Sequence, residues 1–195
     1  YIDYGSGKRA YLSPILDCAG EVISYAVSES QDLSMISAML DDIRKDTIHE
    51  GTLFHSDQGA LYMSDQFQER LKEMGLIQSM SRRGNCWDNA AMESFFGHLK
   101  DHCHFAGCAT FQEVKKMIDD YIEYYNNERP QWTRLKMTPA AYARYLKEMD
   151  EQEFEAYLAK ERQKYEQMIA RSIERTDKHG EHLRSVISSL VEETR

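Results

Sequence analysis

A chain of 195 residues with a net charge of −9 has room for one domain, or for a domain of roughly 150 residues with an appendage, so core burial is not limiting. The acidity excludes nucleic-acid binding through overall electrostatics and confines any such site to a local patch. No run approaches the ~18 apolar residues of a membrane span, and Tyr1-Ile2-Asp3-Tyr4 has no signal-peptide character, which predicts a cytoplasmic chain without membrane contact.

Strand formers dominate residues 10–17 and 21–27, and Cys18-Ala19-Gly20 is short enough to join them as a hairpin. Residues 32–44 space Met35, Ile36, Met39, Leu40 and Ile43 as a helix that covers the hairpin. A strand at 52–55, a helix at 65–74 stopped by Gly75, and a strand at 76–80 follow. Beyond Gly84 only helices are expected, over 87–101, 111–126 and 138–146. This order predicts an α/β sandwich with a mixed sheet over residues 1–146. A helical tail over 147–195 follows, with Phe154, Tyr157, Leu158, Tyr165 and Ile169 on one stripe and Gly180 dividing it. The stripe points to packing or self-association.

The four cysteines form no C-x-x-C pair and read as reduced thiols. His102-Cys103-His104 with Cys108 supplies zinc-type donors without a second knuckle, so packing is the favoured reading. Asp57 stands just past a strand in His55-Ser56-Asp57-Gln58-Gly59, where an exposed carboxylate either holds a metal or closes a turn. On the helix after Trp87, Ala91, Met92, Phe95, Leu99 and Cys103 form the apolar face, while Glu93, Gly97 and Lys100 lie opposite. One acid, one small residue and one base on a polar face suit the close approach of a phosphate backbone at Gly97, although a solvated face with a helical charge pair nearby is the favoured reading of these residues taken alone.

The loop Ser81-Arg82-Arg83-Gly84-Asn85-Cys86-Trp87-Asp88-Asn89-Ala90-Ala91-Met92-Glu93, read together with the Asp57 segment, resembles the retroviral-integrase-like catalytic core of insertion-sequence transposases. That family carries an acidic triad of two aspartates and a glutamate. Thirty-five residues separate Asp57 from Glu93, as in the family, and Lys100 falls where the family has a basic residue. Tyr124-Tyr125-Asn126-Asn127-Glu128-Arg129 and Met137-Thr138-Pro139 extend the likeness over residues 4–146.

The resemblance implies a ribonuclease-H-like fold, a five-stranded mixed sheet flanked by helices, with the first strand missing. It implies Mg²⁺-dependent DNA cleavage and strand transfer, Mn²⁺ substituting, with Asp57 and Glu93 as catalytic metal ligands. Lys100, Arg82, Arg83 and Arg129 become contacts to the DNA backbone. The partners implied are element ends, target DNA and further copies of the chain, with no small-molecule cofactor. The family's first aspartate aligns upstream of Tyr1, and neither Asp3 nor Asp17 matches its position, so the chain by itself is expected to be weak or inactive. The competing readings are a non-catalytic transposase fragment that self-associates through its tail, and a nuclease of the same fold.

Overall fold

In the computed structural model, which describes residues 1–43, 48–81, 89–164, 166–167 and 170–171, the opening of the chain forms an antiparallel sheet. Its strands are β1 (Ile2–Tyr4), β2 (Lys8–Leu16) and β3 (Val22–Ser28), in that order. The first strand is expected to be missing, yet a short strand, β1, pairs at the edge of β2, with Ile2 opposite Ala10 and Tyr4 opposite Lys8. Ile2 and Tyr4 are buried on either side of an exposed Asp3, and the connecting turn uses φ of 51° at Gly5 and 80° at Gly7, a region open to glycine at little cost. The second hairpin turns over 17–20 as predicted, and the Asp17 carboxylate closes it by accepting the Glu21 N–H at 2.8 Å.

Helix α1 (Leu33–Asp41) is capped by Asp32, whose carboxylate accepts the Met35 N–H at 3.1 Å. The expected end of this helix at Arg44 lies outside the described residues. Strand β4 (Leu53–Ser56) runs parallel to β5 (Ile77–Met80), and α2 (Asp65–Glu73) connects them, the order that a parallel pair requires. The strands therefore pair in two ladders, one of three strands and one of two. Packing holds the ladders together: Ile36, Met39, Leu40, Phe67 and Leu71 of α1 and α2 meet Ile15 and Ile23 of the first sheet and Phe54 of the second.

The opposite face of the three-stranded sheet is covered by α3 (Ala90–His102) and α4 (Phe111–Asn127), which bury Phe95, Leu99, Val114 and Ile118 against Ile2, Tyr4 and Leu12. The result is a sheet between two helical layers. Strand alternation makes this possible, because Ala10 and Leu12 of β2 face α3 and α4 while Ser13 reaches Met39 of α1. The expected start of α3 at Trp87 lies outside the described residues. Thr110 and Glu113 close a capping box at the start of α4. Near the end of α4, Asn126 grips the β3 backbone: its Nδ2 donates to the Val22 carbonyl and its Oδ1 accepts the Val22 N–H, both at 2.9 Å. Tyr25 adds a second tie by donating its hydroxyl to Asp119 at 2.8 Å. Two short 3-10 turns, Phe105–Gly107 and Trp132–Arg134, were not anticipated from periodicity, and α5 (Pro139–Glu148) follows the second.

The chain divides into two units, Tyr1–Tyr145 and Leu146–Arg195. In the second, residues 151–164 are helical, and the Phe154 and Tyr157 rings stack with centroids 6.5 Å apart. Phe154 and Leu158 remain 37% and 43% exposed, and the stripe's Tyr165 and Ile169, like the division at Gly180, lie outside the described residues. Among the described residues no helix is long and apolar enough to cross a membrane.

Replacing Asn126 by Ala leaves both backbone groups of the buried Val22 without their side-chain partners. Denaturant unfolding should register a loss of about 2 kcal/mol. An unchanged midpoint would mean that water replaces the amide at no cost.

Candidate active site

Asp57 follows β4 directly, and its Oδ1 accepts the Gly59 N–H at 2.9 Å, a tight local turn that fixes the carboxylate at the strand's end. A Cβ on Gly59 would lie 2.9 Å from that same oxygen, so the turn depends on glycine. The ends of β4 and β5 are locked around it. The His55 ring bridges two serines, Nδ1 to Ser79 Oγ at 3.0 Å and Nε2 to Ser81 Oγ at 3.1 Å, while Gln58 donates to the Ser81 carbonyl. Tyr62 shares a 2.8 Å hydrogen bond with Ser13 of β2. Burial raises the Tyr62 phenol above its ordinary value; the Ser13 bond opposes the rise, and the negative charge of Asp57 adds to it.

The second half of the site comes from α3. Phe95 and Leu99 are 1% and 0% exposed, and Phe95 meets the Tyr125 ring edge-on at 5.1 Å, so the rotation of the helix about its axis is set by its apolar stripe. Glu93, Gly97 and Lys100 are consequently exposed. Glu93 sits in the first turn, where the helix dipole favours a carboxylate. Lys100 lies seven residues on, about 10 Å along the axis. Among the described residues, a Cβ on Gly97 would touch nothing within 4 Å, which leaves the middle of this face open to them.

Asp57, Glu93, Gly97 and Lys100 all line one cleft of about 580 Å³. Its floor and sides include Leu12, Ser13 and Pro14 of β2 and Phe54, His55 and Ser56 of β4. β1 pairs with β2 only as far as Ala10, and the ladder of β4 is with β5, so the cleft forms a slot between two strand edges. Ser13 and Tyr62 are site residues that motif reading passes over, whereas His55 stands in the Asp57 motif without a role assigned to it. For Ser13 the signal is indirect: a serine at an inward position of a strand must be bonded to something.

The remaining candidates are placed elsewhere. Arg129 follows α4, half-buried beside Tyr121, and is not part of the cleft wall. Arg82 and Arg83 lie outside the described residues. Asp3 pairs with Arg9 at 3.0 Å, and Asp17 closes its hairpin, so neither lines the cleft. A larger cavity of about 620 Å³ is lined by His102, Cys103, His104 and Cys108. Among the described residues, no three His, Cys, Asp or Glu side chains converge as metal ligands. Burial pushes the Cys103 thiol up to about 11, further from the thiolate that zinc would need. Cys103 and Cys108 are both buried in the core with Phe105 and Val114.

Two models of the integrase core domain match the chain, over residues 1–86 and 74–139. The putative transposase InsK for insertion sequence element IS150 of Escherichia coli is 44% identical over 140 residues, 70% of this chain and 50% of that protein. The chain belongs to the integrase-core family of insertion-sequence transposases. An uncharacterized transposase-like protein of Haemophilus influenzae is 40% identical over 136 residues, 69% of this chain and 63% of that protein. The chain thus spans between half and two thirds of the length of these relatives. Among solved structures, the HTLV-2 integrase catalytic core domain in complex with magnesium superposes with a TM-score of 0.50 at 15% identity, covering 72% of this chain and 95% of that one. A chain of the simian T-cell lymphotropic virus intasome gives a TM-score of 0.52 at 14% identity, covering 72% and 53%. At such identities the likeness establishes the fold, which is ribonuclease-H-like as expected.

The open surroundings of Gly97 have a measurable consequence. Gly97→Ala should stabilise the chain by about 1 kcal/mol, because alanine is the better helix former and its methyl group meets no neighbour. A fall in the unfolding midpoint would show that this face is not free.

Proposed function

We propose that this integrase core acts in DNA transposition, with Asp57 and Glu93 as the carboxylates that hold a divalent cation during strand cleavage and joining. The observation that carries the reading is that Asp57, Glu93 and Lys100, on separate elements, line the same cleft. Both acids are exposed hard-oxygen donors, and Mg²⁺ is commonly held by one or two carboxylates with the remaining positions left to water and substrate phosphate, so the donor set fits the ion. When bound, such an ion supplies Lewis-acid stabilisation of the charge that develops on the attacking and leaving oxygens. Support at a general level comes from the family and from the magnesium in the HTLV-2 integrase core.

The chain's own groups then divide the work. The Gly59 turn holds the Asp57 carboxylate at the strand end, and Glu93 stands exposed in the first turn of α3, where the helix dipole favours a negative charge. Gly97 gives clearance for the sugar-phosphate backbone, and the Lys100 ammonium meets a phosphate about two helical turns away from Glu93. Arg82 and Arg83, which precede α3 in sequence, are proposed as further backbone contacts, and Arg129 serves a more distant part of the DNA. Transposition pairs two DNA ends, so further copies of the chain are its expected partners.

Only two acids, Asp57 and Glu93, line the cleft among the described residues. The slot between the edges of β2 and β4 leaves room for a further ligand to the ion, and two acids alone are expected to support weak activity. The test is nicking and joining of a duplex carrying a free 3′-hydroxyl, in Mg²⁺ or Mn²⁺, by the purified chain and its Asp57→Ala and Glu93→Ala variants. Weak metal-dependent joining at most is expected, and lost in each variant. Strong activity lost in both variants would mean that another carboxylate of this chain completes the site, against the two-acid account. Joining that survives either substitution removes that residue from the site. Cleavage without joining assigns a nuclease of the same fold.

A further inference from the structure

The stretch from Arg129 to Arg144 stands out in an acidic chain: Arg129, Arg134, Lys136 and Arg144 occur in it with no Asp or Glu between them, whereas the whole chain carries −9. In its middle Trp132 is 83% exposed and Leu135 60%. An indole left in water is the largest exposed aromatic surface a protein can offer, and here the Lys136 ammonium lies over it, 4.6 Å from the ring centroid.

The loop that presents Trp132 is stiff. Gln131 and Met137 bridge its base, the Gln131 N–H donating to the Met137 carbonyl at 2.9 Å. The Arg134 and Lys136 N–H groups both donate to the Gln131 carbonyl at 3.0 Å, and the Met137 N–H donates to the Arg134 carbonyl at 2.8 Å. Arg134 does not reach for solvent; its guanidinium donates to the Ala19 carbonyl and to the Gln131 side chain, lying where a Cβ of Gly20 would otherwise be. Leu135 and Lys136 have φ of 54° and 63°, two successive non-glycine residues in the left-handed region. Such backbone persists only where the surroundings over-determine it, and it concentrates at ligand-binding loops. A short loop held by this many bonds, and strained to turn Trp132 outward, is a presenting device rather than a slack connection.

We infer that Trp132 is a stacking platform for an unpaired base of the DNA strand, with Lys136 neutralising the adjacent phosphate. The exposed Lys136 and Arg144, in a stretch without acids, select a polyanion, and the exposed ring selects one with free π-faces; an unpaired or extruded base on a charged backbone satisfies both. In an intact duplex the faces are covered by their neighbours, so the ring engages DNA where pairing is interrupted, as at a strand end undergoing processing. The inference rests on the proposed action on DNA but adds a contact outside the Asp57 and Glu93 cleft, whose walls do not include Trp132.

The test is fluorescence anisotropy of the full chain with a labelled oligothymidylate and, separately, with a blunt duplex, for the wild type and for Trp132→Ala, Trp132→Phe and Lys136→Ala. Trp132→Ala should weaken single-strand binding about 5- to 100-fold while duplex binding and thermal melting stay put, and Trp132→Phe should recover part of the loss. Lys136→Ala should weaken both substrates and flatten the salt dependence. Wild-type binding that Trp132→Ala leaves unchanged overturns the inference and spares the proposed function. A change in sedimentation with unchanged DNA affinity would assign the loop to a second copy of the chain instead. No binding by the wild type to either DNA counts against both.

Discussion

The rotation of α3 about its own axis is the constraint on which the candidate site depends. Phe95 and Leu99 are sealed in the core between β2 and α4, and burying such side chains is worth about 1.5–3 kcal/mol each. Turning the helix by one residue would expose both, a cost that no surface interaction can match. The polar residues therefore have no freedom over where they face. Glu93, Gly97 and Lys100 line the cleft because the apolar stripe is anchored on the far side, and α4 secures that anchor by bringing Tyr121 and Tyr125 against Phe95 and by clamping Asn126 onto β3.

The Asp57 half of the site is built differently. There a parallel two-stranded ladder is too small to be rigid alone, and its end is stiffened by side chains: His55 across two serines, Gln58 onto the Ser81 carbonyl, and the Asp57 turn onto Gly59. The link to the other sheet is side-chain packing under α1 and α2 together with the Ser13 and Tyr62 pair, so the slot is bounded by two strand edges and not by a closed ladder. The proposed action on DNA would require such economy of an acidic chain. With a net charge of −9 it cannot gather phosphates over a broad face, and it concentrates cationic groups in a few places, Lys100 on α3 and the stretch around Lys136.

Much of this organisation is legible in the residues themselves. The 3.6-residue spacing of Met35, Ile36, Met39 and Leu40 and of Phe95, Leu99 and Cys103 marks buried helix faces, and Asp17 reads as a turn residue because a short link follows it. The juxtaposition of Asp57 and Glu93 is not readable from period or propensity, since it depends on how two distant elements dock; only the likeness of motif and spacing to a known core anticipates it. Other features leave weaker traces. β1 is three residues long, below what alternation can establish, and the Trp132 loop has neither period nor glycine to announce its left-handed backbone. Ser13 and Tyr62 look ordinary in sequence, and their pairing across 49 positions emerges only from tertiary packing.

Asp57 and Glu93 are proposed to act together on one divalent cation. Titration of Mn²⁺ into the chain, followed by the electron paramagnetic resonance signal of the free ion, tests this without requiring turnover. The account predicts a site in the wild type that Mg²⁺ displaces and that is lost in both Asp57→Asn and Glu93→Gln. Binding that persists unchanged in either variant would contradict it, because two carboxylates that merely share a cleft wall would not depend on each other for a metal.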